Sequence, residues 1–67
     1  MSDRYYDRVE AYTRRAAELF PGQTTFNKKQ CAAIAGKSPS TIYNNPDRYY
    51  FRSAKISIKE LVRMELR

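Results

Sequence analysis

Side chains able to do covalent or metal chemistry are few in this chain, and none stand at a working spacing. There is no histidine and one cysteine, Cys31, so the usual metal-ligand sets are not available. The nearest carboxylate pairs along the chain, Asp3 with Asp7 and Glu60 with Glu65, fall on segments that use them as caps and surface. Ser38, Ser40 and Thr41 have no basic partner to activate a hydroxyl as a nucleophile. Gly22 and Gly36 stand alone rather than in a loop that could cradle a phosphate. No enzymatic activity, metal or cofactor is expected. What remains is non-covalent chemistry: lysines and arginines that attract anions, and hydroxyls and carboxamides that read hydrogen-bond patterns.

The formal charge of +6 is unevenly placed. Residues 1–26 set Arg4, Arg8, Arg14 and Arg15 against Asp3, Asp7, Glu10 and Glu18, a net of zero. Residues 27–55 set Lys28, Lys29, Lys37, Arg48, Arg52 and Lys55 against Asp47 alone, a net of +5. Residues 56–67 add +1 from Lys59, Arg63 and Arg67 against Glu60 and Glu65. A basic middle segment is the footprint of a surface for a phosphate backbone. A solvated basic face on any small domain is the plainer alternative.

That middle segment carries the clearest local signals. Asn27 can cap a helix, with Gln30 three residues on returning the bond as a capping box. Phe26 and Cys31 are spaced as a hydrophobic staple across that cap, which makes Cys31 a core residue. Ala32, Ile34 and Ala35 continue the apolar side. Gly36 then stops the helix, because glycine enters the left-handed region without a Cβ penalty. Ser38 is placed to cap a second helix and Pro39 occupies its first position, where the missing N–H costs nothing. Ile42 pins this helix back onto the first. A small residue at 32, glycine at 36 and an apolar residue at 42 have the spacing of a helix-turn-helix over 27–45.

At Ala32, Gly36 and Ile42 the chain resembles DNA-binding helix-turn-helix proteins. The run from Gly36 to Tyr43 is similar to the turn and recognition helix of bacterial and phage regulators. Tyr49-Tyr50-Phe51-Arg52-Ser53-Ala54-Lys55-Ile56-Ser57 and the residues after it resemble the wing and closing helix of MerR-like domains, a layout shared by small phage excisionases and AlpA-type activators. The resemblance implies a mostly α, small winged helix-turn-helix with an extra N-terminal helix and a short β-hairpin wing.

The elements that must position this motif follow from periodicity. Tyr5, Val9, Tyr12, Ala16, Leu19 and Phe20 recur at helical spacing, giving a leading helix over 1–20. Ser2 is its cap and Asp3 favours the positive end of its dipole. Pro21-Gly22 ends it. Its stripe serves either to cover the helix-turn-helix or to associate with a second copy. Asn44-Asn45-Pro46-Asp47 is dense in turn formers. Tyr49, Phe51 and Ile56 alternate as strands would, which places a hairpin wing at 47–57. Ser57 with Glu60 is a second capping box and Ile56 with Leu61 a second staple. The closing helix, 58–66, turns Ile58, Leu61, Val62 and Leu66 inward, with Met64 beside them.

Sixty-seven residues suit one domain near the lower limit for a self-sufficient core. With a mean hydropathy of -0.79 and no apolar run of spanning length, no membrane partner is expected. No charged-then-apolar leader opens the chain, so a cytoplasmic protein is expected. The function expected is sequence-specific binding of double-stranded DNA by a phage or mobile-element transcription regulator or excisionase. It would act as a homodimer or cooperative array. The 39–45 helix would enter the major groove with Ser40, Thr41, Tyr43, Asn44 and Asn45 toward base edges. Asn44 has the carboxamide that pairs bidentately with adenine, although Asn44 and Asn45 also suit a C-terminal cap. Thr25, Lys28, Lys29 and Lys37 would hold the backbone from the first helix and turn, and Arg48, Arg52 and Lys55 from the wing. The rival is a protein-interaction module that blocks or recruits a host protein through exposed Tyr5, Tyr6, Tyr49 and Tyr50.

Overall fold

The structure, a computed structural model, describes the backbone of residues 2–66 and the side chains of residues 4–66. The contacts expected of the Ser2 and Asp3 side chains therefore lie outside the described residues. Among the described residues four helices follow in order: α1 Ser2–Leu19, α2 Lys28–Ala35, α3 Pro39–Tyr43 and α4 Ile58–Leu66. None among the described residues is long and apolar enough to cross a membrane.

Local chemistry sets the helix ends. At the start of α2 the Gln30 backbone N–H donates to Asn27 Oδ1 at 2.8 Å, and the Asn27 N–H donates to Gln30 Oε1 at 3.1 Å. At its end Gly36 takes φ 71°. The Gly36 N–H then bonds the Ala33 carbonyl and the Lys37 N–H the Ala32 carbonyl, a Schellman closure that satisfies carbonyls the helix leaves open. Arg15 of α1 adds a further donor, Nη1 to the Ile34 carbonyl at 3.1 Å. Pro39 is the first residue of α3, but Ser38 before it makes no side-chain bond to the helix backbone. Its hydroxyl is shared instead with those of Ser40 and Thr41, at 3.0 and 3.1 Å.

α1 lies across α4 and α2, and α2 packs on α3. Phe26, Cys31, Ile34, Ile42, Ile56, Leu61 and Val62 are fully buried, so the staple residues of both caps and the pin of α3 meet in one core. Burial of this size stabilises by about 1.5–3 kcal/mol per large side chain. α1 contributes Ala16, with Tyr12 and Phe20 packed against the cluster. Leu19 stands 49% exposed. The inner place at that end goes to Phe20, whose ring lies 6.1 Å from that of Phe26.

The expected hairpin wing at 47–57 does not form. Among the described residues there is no strand or sheet, only an isolated antiparallel bridge between Phe26 and Ile56. Its two N–H to carbonyl bonds measure 2.8 and 2.9 Å. Three physical causes account for the difference. Ile56, expected to pair with the Tyr49–Phe51 stretch, is paired with the entry to α2. Tyr49, at the other end, is held by α4 through its hydroxyl. Between them 52–54 is a run of bends without glycine, and no described non-glycine residue adopts the positive φ that tight hairpin turns require. The fold is therefore mostly α without a wing.

Candidate nucleic-acid interface

Because Ile42 faces the core, the other residues of α3 are sorted by helical angle. Ser40, Tyr43 and Asn44, at i, i+3 and i+4, share the outer face, and all three are exposed. Tyr43 is 57% exposed. Thr41 is half-buried with its hydroxyl engaged by Ser38. The two asparagines separate. Asn45 turns its amide back to donate to the Thr41 carbonyl at 2.6 Å, a side-chain cap on α3. Asn44 has the backbone of the capping position, yet its carboxamide makes no hydrogen bond among the described residues. Of the five residues expected to face bases, three stand together and outward, while Thr41 and Asn45 also close the helix.

The basic residues divide in the same way. Lys28, expected to hold the DNA backbone, has its Nζ 5.3 Å from the ring centre of Tyr43 and 5.7 Å from that of Phe51. One ammonium thus ties the start of α2 to the end of α3 and to the following loop, at about 0.5–1 kcal/mol for an exposed cation–π contact. Lys37 Nζ lies 3.7 Å from Glu65 Oε2. Arg48 Nη1 donates to the Glu65 backbone carbonyl at 3.2 Å. Lys29, Arg52 and Lys55 are exposed and have no ion pair among the described residues. Thr25 is exposed at the entry to α2.

Glu65 is the residue sequence reasoning placed wrongly. Expected at the surface, its side chain is 3% exposed. Tyr12 donates a hydrogen bond to Oε1, Tyr49 donates to Oε2 at 3.0 Å, and Arg8 and Lys37 bring cations to 3.5 and 3.7 Å. One carboxylate therefore joins α1, the turn between α2 and α3, the loop after α3, and α4. A buried carboxylate needs this company, since desolvation of an unpaired one costs several kcal/mol. Its charge acts on its donors: burial first, then the bond to Glu65, pushes the Tyr49 phenol up to about 12. The same causes in the same order raise Tyr12 well above the ordinary tyrosine range. A signal was available, because 65 continues the series Ile58, Leu61, Val62 at i+7, inside the apolar stripe of α4.

Burial also decides the roles of Cys31 and Tyr49. Cys31 is buried, and that burial holds its thiol protonated, with a pKa of about 12; it is a core side chain. Tyr49, bonded inward to Glu65, cannot belong to an exposed aromatic patch. Tyr5 and Tyr6 stack edge-on at 5.2 Å on α1, and Tyr50 is 68% exposed on the loop. No family model, no curated protein and no solved structure matches this chain.

Proposed function

We propose that this chain is a small wingless helix-turn-helix protein that binds double-stranded DNA, with α3 entering the major groove. The supporting observation is the outer face of α3. Ser40, Tyr43 and the unengaged carboxamide of Asn44 project together from a helix whose opposite side is fixed by Ile42. Asn44 is the base reader, pairing with adenine. Lys29, Arg52, Lys55 and Thr25 are the backbone contacts with side chains left uncommitted by the fold. Lys28 works through Tyr43, holding it at the end of α3. Lys37 and Arg48 serve Glu65 first. The regulator role, in the cytoplasm of a phage- or element-bearing cell, rests on the resemblance at 27–45 alone; the excisionase alternative was carried by the wing layout and loses that support. A five-residue recognition helix covers only a few base pairs, so two or more copies would act together on a site.

The test is a titration of a labelled random-sequence duplex at several salt concentrations. Log K should fall with log salt at a slope of roughly −0.9 for each phosphate contacted. An affinity that is unmeasurable at low salt, or flat between low and moderate salt, would remove the DNA reading.

A further inference from the structure

The loop after α3 has two faces. Tyr49 turns in to Glu65 and Phe51 lies by Lys28, while Tyr50 and Arg52 line a groove of about 720 Å³ with Ser53 of the loop and Glu60, Arg63 and Met64 of α4. Arg52 and Arg63 are exposed and have no ion pair among the described residues. Lys59, one turn before Arg63, extends the same outer stripe of α4. The groove thus combines two uncommitted guanidinium groups with one opposing carboxylate, Glu60.

We propose that this groove is a second phosphate-binding surface, taking the sugar–phosphate backbone of a DNA duplex through Arg52 and Arg63. The inference rests on the DNA reading above and adds α4 to the contact surface. Guanidinium forks match phosphate oxygens bidentately, and the charge of the groove is complementary to a polyanion. Continuity favours the backbone over another anion: Phe51, between the groove residues Tyr50 and Arg52 in the chain, lies beside Lys28, which in turn lies beside Tyr43 at the end of α3. Glu60 opposes binding, so its neutralisation should strengthen it.

The isotope-labelled 67-residue chain would be titrated with a random-sequence DNA duplex and, separately, with a poly-glutamate peptide, following amide and arginine side-chain NMR signals. The proposal expects Tyr50, Arg52 and Arg63 to shift together with α3 on adding duplex. Arg63→Gln should make the salt slope shallower by about 0.9, and Glu60→Gln should tighten binding severalfold. Arg63 is exposed and Glu60 half-buried on α4, and a melting curve checks that each variant stays folded. Shifts at α3 alone, with Arg63→Gln binding as tightly and with the same slope, would overturn the groove and leave the DNA reading standing. Shifts at the groove without α3 would support the groove and overturn the reading helix. Response to the peptide but not to the duplex would overturn the proposal, and response to neither would overturn both.

Discussion

The C-terminal end of α4 and the outer face of α3 are built from similar polar residues and treat them in opposite ways. Around Glu65 the hydroxyls of Tyr12 and Tyr49, the cations of Arg8 and Lys37, and a guanidinium N–H of Arg48 all converge on one residue. On α3 and the loop after it, Asn44, Tyr50, Arg52 and Lys55 project into solvent. A polar group with its partners inside the protein fixes the fold, because removing one leaves others buried and unpaired. A polar group left without them is free to serve a ligand. The formal charge does not distinguish the two, and the contacts do.

The largest expected effect breaks the satisfied side. Glu65→Leu should cost about 1–3 kcal/mol of stability, because it strips the buried Tyr49 hydroxyl of its acceptor, read as a lowered urea midpoint, whereas Asn44→Ala should stay within about 0.5 kcal/mol of wild type. A Glu65→Leu protein as stable as wild type would mean that the carboxylate is not what joins α1 to the turn and loop.

A smaller effect should appear with alkali. Both phenols at Glu65 have raised pKa values, so the folded protein keeps protons that the unfolded chain releases once pH passes the ordinary tyrosine value of 10. Stability from this source is complete below pH 10 and is lost as pH climbs toward 12. Urea midpoints on either side of pH 10 should show the fall, and Tyr49→Phe should make it less steep. Midpoints that hold steady through that window would contradict the burial of these phenols and their bonds to Glu65.

How far the sequence went depends on the range of the interactions. The cap at Asn27, the turn at Gly36 and the pin at Ile42 were legible because each is settled within a few residues of chain. The wing was not, because its strands were read from alternation at Tyr49, Phe51 and Ile56. What decides those residues is distant: Phe26 for Ile56, and Glu65 for Tyr49. The same distance hid the commitment of Lys37, far from Glu65 along the chain but adjacent to it in space. On α3, Ser40, Tyr43 and Asn44 are exposed, as their spacing from Ile42 predicts. The division of labour between Asn44 and Asn45 needed the bond from Asn45 to Thr41.

The comparison sharpens further at the two lysines that looked alike in the sequence. Lys29→Ala should make the salt slope of DNA binding shallower by up to about 0.9, while Lys37→Ala, already facing Glu65, should leave it nearly unchanged. Equal changes in both slopes would show that Lys37 leaves the carboxylate to meet phosphate.

That α3 reads base edges through Asn44 is tested most directly by one affinity comparison. Wild type and Asn44→Ala would be titrated on a duplex selected by the wild-type protein from a random pool, and on unselected random duplex. The loss on the selected duplex should be about 1–3 kcal/mol, with almost none on the random one. Equal losses on both duplexes, or no loss on either, would contradict it.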